Sequence, residues 1–302
     1  MAAGANSLKS ILYALAANLS IALAKLAAAL VTHSGAMMAE AIHSFADAGN
    51  QLLLLLGLKT AKRPPSPQHP LGYGKTIYFW SFIVAIMLFS MGGLYSLYEG
   101  WHKLHDPQPL NSPWIAVAVL LFAIVAEGLS FRACLVEVNK ERAGRSYWRW
   151  FRETRSSALL VIFGEDLAAL LGLVLALVFV LLTMITGDPT FDAYGSLAIG
   201  GLLVLIAVFI GIEVKSLIIG QGVEPRIRSQ MTEFIAEQEG VVEVFNLLSL
   251  QLGEDVMVAV KVRMAPHPDA DAMVARINAI EAAFKGAFPQ VVWLFFEPDL
   301  AD

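Results

Sequence analysis

The chain has 302 residues, 57% of them hydrophobic and only 16% charged, with a mean hydropathy of +0.63, a balance that excludes an ordinary soluble protein and sets most of the chain against lipid. Its net charge of −5 is unevenly divided, since residues 1 to 221 hold 15 Lys and Arg against 13 Asp and Glu while residues 222 to 302 hold 6 against 13. There is no basic stripe to neutralise phosphates, which excludes a nucleic-acid partner, and the single cysteine, Cys134, excludes a disulfide framework or a thiolate-rich metal cluster.

A helix crossing about 30 Å of hydrocarbon needs about 20 mainly apolar residues. Six stretches qualify, near 8 to 31, 36 to 58, 76 to 100, 113 to 137, 157 to 184 and 194 to 219. Prolines and a Gly-Asp-Pro turn punctuate the connections at Lys62 to Pro70, Asp106 to Pro113 and Thr186 to Thr190. The connections at 59 to 75 and 132 to 156 carry eleven basic residues, and the three on the other side carry only Lys103. The positive-inside rule then puts the N- and C-termini in the cytoplasm. The arginines from 142 to 155, interleaved with Tyr147, Trp148, Trp150 and Phe151, predict an interfacial helix against anionic lipid. Lys25 reads as a side chain snorkelling from the first span.

From residue 222 the character changes to charged and amphipathic. Helical spacing covers Glu224 to Glu239 and Ala270 to Phe288, and strand patterns cover Val241 to Ser249, Val256 to Met264 and Val291 to Phe296. The expected fold is an α-helical membrane protein with six transmembrane helices (1 to 221) plus a C-terminal cytoplasmic α+β domain (222 to 302). That domain has αββαβ order, as in a ferredoxin-like open sandwich. About 80 residues make a marginal core, so a homodimer is expected to support it.

Ionisable groups inside spans are costly to bury and mark function. Glu40, His43 and Asp47 fall at i, i+3 and i+7, on one face of the second span, with Gln51 one turn further. Asp47 is near mid-membrane, and Asn18, Glu127 and Asp166 from the first, fourth and fifth spans fall at about the same depth. Several buried carboxylates repel one another, and a divalent cation relieves that repulsion. Imidazole with carboxylates suits Zn²⁺ and is usable by Fe²⁺, Mn²⁺, Co²⁺ or Ni²⁺, whereas the lack of thiolates disfavours Cu⁺.

The run from Ser34 to Asp47, Ser-Gly-Ala-Met-Met-Ala-Glu-Ala-Ile-His-Ser-Phe-Ala-Asp, resembles the second span of cation diffusion facilitators, and His69-Pro70-Leu71-Gly72-Tyr73-Gly74-Lys75 resembles that family's loop. The extended motif through Asn50-Gln51, with Ala-Glu-Gly at 126 to 128 and Glu-Asp at 165 to 166, looks most like the mitochondrial zinc transporter subgroup and its bacterial relatives. The resemblance implies a homodimeric exporter of divalent metal, most often zinc, that exchanges metal for protons. Spans 1, 2, 4 and 5 would rock against 3 and 6.

It further implies His43, Asp47 and Asp166 as metal ligands. The position four residues before Asp166, usually His in the family, is Ile162, so the fourth ligand falls to Glu127, or else to Glu165. Glu165, Glu40 and Asn18 are then candidates for proton coupling or for supporting the ligands. With Tyr73 in place of a loop histidine and only His267 in the C-terminal domain, no dinuclear cytoplasmic zinc site is expected, and that domain serves dimerisation. An intramembrane metalloenzyme is the competing class, disfavoured by the lack of a His-Glu-x-x-His motif and of a nucleophile. An N-terminus without an Arg- and Ser-rich leader points to a bacterial inner membrane.

Overall fold

The computed structural model describes residues 18 to 301, so the expected start of the first span, residues 8 to 17, lies outside the described residues. Helix α1 is described over Asn18–Thr32. It is followed by α2 (Gly35–Ala61), α3 (Thr76–His105), α4 (Pro113–Glu141), the short α5 (Tyr147–Glu153), α6 (Ser157–Thr186) and α7 (Thr190–Ile219). Four of these, α3, α4, α6 and α7, are long and apolar enough to cross a membrane. α2 has 27 residues, but Glu40, His43, Asp47, Asn50 and Gln51 lower its hydropathy, so the helix that carries the candidate site is also the more polar one.

The chain forms two compact units. The first takes residues up to Leu56 with Trp80–Tyr147 and Ala158–Glu213, and the second takes Gly57–Phe79, Trp148–Ser157 and the chain from Val214 onward. Thus the second unit gathers two connections between the long helices as well as the C-terminal segment.

In the first unit, Ser34 caps α2, its Oγ accepting from the Met37 N–H at 3.2 Å. The same helix end is held from α7, where buried Asp192 accepts from Ser34 Oγ, from the Gly35 N–H (2.6 Å) and from the Ala36 N–H (3.4 Å), and pairs with Lys103 of α3 at 3.3 Å. A carboxylate there satisfies orphan N–H groups and faces the positive end of the helix dipole.

α3 contains a π-helical stretch, Leu88–Leu94. Its Gly93, with Gly100 further along α3, meets Gly200 and its neighbours on α7: the Gly93 carbonyl would lie 2.9 Å from a Cβ at Gly200, and the Ala193 carbonyl 2.9 Å from one at Gly100. Glycines allow the two backbones this approach.

In the second unit, α8 (Pro225–Ala236), β1 (Val241–Leu252), β2 (Asp255–Met264), α9 (Ala270–Ala287) and β3 (Val291–Pro298) realise the expected αββαβ order. β1 and β2 pair antiparallel through a tight turn with Gly253 at φ +77°, and β3 joins β2 in parallel after the α9 crossover. Alternate β2 residues Val256, Val258, Val260 and Val262 are buried with Met231, Ile235 and Phe284 of the helices. The opposite face carries Leu248, Ala259 and Phe295 in one row across the strands, with Leu248 and Phe295 exposed.

The glycine-rich connection before α3 belongs to this unit. A Cβ at Gly74 would overlap the Leu252 carbonyl, the Tyr78 hydroxyl accepts from the Gly253 N–H at 2.9 Å, and Lys75 Nζ donates to the Ile218 carbonyl at 3.3 Å. The arginine-rich stretch forms the short helix α5, with Tyr147, Trp148, Arg149 and Arg152 exposed and other members of the stretch engaged within the protein. Arg155 donates to the Gly222 carbonyl at 2.7 Å, Arg142 and Arg145 bond to each other's carbonyls, and Trp150 and Phe151 are buried. Guanidinium forks go to free carbonyls where a chain turn offers them.

Candidate metal site

α2 turns Glu40, His43 and Asp47 to one side, as the sequence spacing requires. Glu40 and His43 are fully buried, and Asp47 retains 18% exposure. His43 Nδ1 stands 3.5 Å from Asp47 Oδ1. Neither ring nitrogen of His43 has a hydrogen-bond partner, and Glu40 Oε1, Asp47 Oδ1 and Asn50 Oδ1 share that condition. Buried polar atoms are almost always paired, because leaving one unpaired costs about 1 to 3 kcal/mol. A row of them along one helix face is therefore costly to the fold, and it is the arrangement an arriving cation would satisfy.

Two other helices bring carboxylates to this face. On α6, Glu165 accepts from Asn50 Nδ2 at 2.5 Å, which fixes Glu165 one turn along α2 from Asp47. Asp166 accepts a hydrogen bond from Ser130 of α4, and Glu127 lies one turn before Ser130 on the same helix. Of the two carboxylates between which the fourth ligand falls, Glu165 is engaged by Asn50 and Glu127 stands on the helix of Ser130.

Among the described residues, no three His, Cys, Asp or Glu side chains stand close enough together to hold one ion. His43 and Asp47 are adjacent, while Glu127 and Asp166 belong to the neighbouring α4 and α6 without closing a ligand set. Ile162, at the family's histidine position, is 37% exposed and offers no donor atom. Asn18 is half-buried at the first described position of α1.

Lys25 does not snorkel. It is fully buried, with Nζ 3.3 Å from Glu40 Oε2 and donating to Ser44 Oγ at 2.7 Å. Seven residues separate it from the end of α1 at Thr32, about 10 Å at 1.5 Å per residue, and the pull of Glu40 outweighs that of the interface. Glu40 therefore enters the site as half of a buried ion pair.

The remaining histidines stand elsewhere. His69 packs its ring on Tyr73 with centroids 4.4 Å apart, His105 Nδ1 meets the Trp101 carbonyl at 2.9 Å, and His267 Nδ1 meets the Ala265 carbonyl at 2.6 Å.

Four groups escaped the sequence reading: Lys25 as a site residue, Ser44, Ser130 and Gly172. Gly172 of α6 leaves room for Glu40, since a Cβ there would overlap Glu40 Oε1. Its signal in the sequence is a glycine in an apolar helix two turns past Asp166, which by itself names no partner. Asn50 was visible as a motif letter but not as the partner of Glu165.

The model of the cation efflux transmembrane domain matches residues 11–219, and the chain belongs to the cation efflux family. The proton-coupled zinc antiporter SLC30A9, mitochondrial, of Xenopus laevis is 34% identical over 259 residues, covering 85% of this chain and 45% of the relative. Its Homo sapiens counterpart is 32% identical over the same length. The magnetosome protein MamB of Magnetospira sp. (strain QH-2) is 25% identical over 259 residues, covering 85% of this chain and 81% of the relative. The chain spans under half the length of the SLC30A9 relatives.

Proposed function

We propose that the chain is a proton-coupled exporter of divalent cations, with Zn²⁺ as cargo, working as a homodimer by alternating access through six membrane spans with both termini in the cytoplasm. The observation that carries this reading is the row of buried, unpartnered atoms on α2, Glu40 Oε1, His43 Nδ1 and Nε2 and Asp47 Oδ1, facing the carboxylates of α4 and α6. Zinc accepts imidazole nitrogen and carboxylate oxygen, and the ligand set proposed is His43, Asp47, Asp166 and Glu127, with Glu165 held by Asn50 as support. Closing that set requires α4 and α6 to shift against α2, which fits a site that must both load and empty.

Proton coupling follows from the donor types. Metal needs neutral imidazole and ionised carboxylates, so protons arriving from the far side compete for the same lone pairs and release the ion. The row Leu248, Ala259 and Phe295 on the open sheet face, with Leu248 and Phe295 exposed, supports dimerisation through the second unit. The name of the SLC30A9 relatives supports zinc and the proton, and the eleven basic residues of two connections support the orientation. Zn²⁺ uptake into proteoliposomes under an imposed pH gradient tests the reading. Flux in the Asp47→Ala and Asp166→Ala variants is expected to fall to the level of protein-free vesicles. Undiminished flux in both sinks the assignment.

A further inference from the structure

We propose that the Lys25 ammonium is a tethered cation that weakens metal binding at His43 and Asp47, and thereby sets how readily the layer gives up its cargo. This regulation rests on the metal-site reading above. A lysine inside a membrane helix is expensive to bury, so its place is informative. Here three helices build that place. α1 supplies Lys25, α2 supplies Glu40 and Ser44 one turn apart, and α6 supplies Gly172, whose missing side chain makes room for the Glu40 carboxylate.

Glu40 and Ser44 bracket His43 in the sequence, so the ammonium they hold lies along the face from which the imidazole projects. Ser44, 2.7 Å from the ammonium, is the residue next to His43, and Glu40, 3.3 Å from it, lies one turn before His43 on the same helix. A unit charge that reaches the ligands from a buried position also repels a divalent ion bound there, with little solvent screening. Glu40 offsets part of that repulsion by pairing with the ammonium. The pair therefore tunes the site in two directions. Loss of Lys25 deepens the well for metal, and loss of Glu40 alone leaves an unbalanced ammonium that makes it shallower.

Isothermal titration of the full chain in nanodiscs with Zn²⁺, joined to proteoliposome flux, tests this. Lys25→Met is expected to bind Zn²⁺ roughly tenfold tighter or more and to transport more slowly at saturation, because release is delayed. Lys25→Arg, which keeps the charge, is expected to bind Zn²⁺ more weakly than Lys25→Met. Glu40→Gln is expected to bind more weakly, and the double variant Lys25→Met with Glu40→Gln to return close to wild type. A purely structural pair cannot give opposite signs for its two halves. Equal or weaker binding in Lys25→Met overturns the proposal. Should that variant fail to fold, unchanged affinity in Glu40→Gln overturns it instead. Asp47→Ala separates the two readings: if it abolishes Zn²⁺ binding while the Lys25 variants change nothing, the metal site stands and only the tethered cation falls. If Asp47→Ala binds as wild type, both fall.

Discussion

The two compact units treat polar groups in opposite ways. In the first, charged and amide side chains go deep and several of their atoms stay unpartnered: Glu40 Oε1, both nitrogens of His43, Asp47 Oδ1 and Asn50 Oδ1. In the second, the interior is Val256, Val258, Val260, Val262, Met231, Ile235 and Phe284, and the charges sit outside in pairs such as Lys261 with Asp299 and Arg263 with Glu243. The second unit is arranged as folding alone would arrange it, with apolar area removed from water and polar groups satisfied. The first gives up some of that satisfaction where α2 faces α4 and α6. On the proposed function, stability and cargo binding draw on different residues, and substitutions separate them.

The largest expected effect is Phe284→Ala. Phe284 is fully buried against Phe234 and Phe288, with ring centroids at 5.9 and 4.8 Å, so its truncation is expected to cost about 3 to 5 kcal/mol of the second unit's stability. Hydrogen exchange on the full chain would show α8, α9 and the sheet opening together. In the same measurement Asp47→Asn is expected to leave the first unit's protection unchanged or higher, because its Oδ1 has no hydrogen-bond partner to lose. Marked loss of protection in Asp47→Asn would break the contrast between the units.

A smaller effect sharpens the contrast inside the first unit. Asp192 is buried but fully engaged, by Ser34, the Gly35 and Ala36 N–H groups and Lys103. Asp192→Ala should cost about 1 to 3 kcal/mol, read as lost hydrogen-exchange protection in the first turn of α2. No loss there would mean that the helix end is held by packing alone.

The smallest effect belongs to Asp299 on the second unit's surface. The hydrogen bond from Lys261, at 2.9 Å, and that from the Leu300 N–H hold its carboxyl below the usual range for aspartate. A lowered folded-state value means the contribution is present above the unfolded value near 3.9 and is lost as pH falls through the folded one. Asp299→Asn is accordingly expected to destabilise slightly at pH 7 and progressively less as pH falls below the unfolded value, in denaturant titrations across that range.

Much of the architecture was legible because its signals run along the chain. Alternation in Val256 to Met264 gave β2, helical spacing gave α8 and α9, and Gly253 marked the hairpin. The spacing of Glu40, His43 and Asp47 gave the polar face of α2. Other features were hidden because they depend on a partner distant in sequence. Lys25 looks like any lysine near a helix end until Glu40 is seen across from it, and Gly172 looks like a packing glycine until the carboxylate fills its place. The π-helical turn in α3 had only Gly92 and Gly93 as a hint. The carbonyl partners of Arg142, Arg145 and Arg155 were hidden for the same reason, since they lie across turns or as far away as Gly222.

By itself, then, the sequence determined which stretches are apolar enough to be helices, which of them carries the histidine and carboxylates on one face, and where the charged αββαβ segment begins. These follow from hydropathy and periodicity, which are properties of neighbouring letters. The tertiary structure alone decided that Lys25 turns inward to Glu40 and Ser44, that Glu165 is tied to Asn50, and that Asp192 closes the end of α2. Those are choices among partners tens to more than a hundred residues apart, and only the packing of helices against one another settles which buried charge meets which.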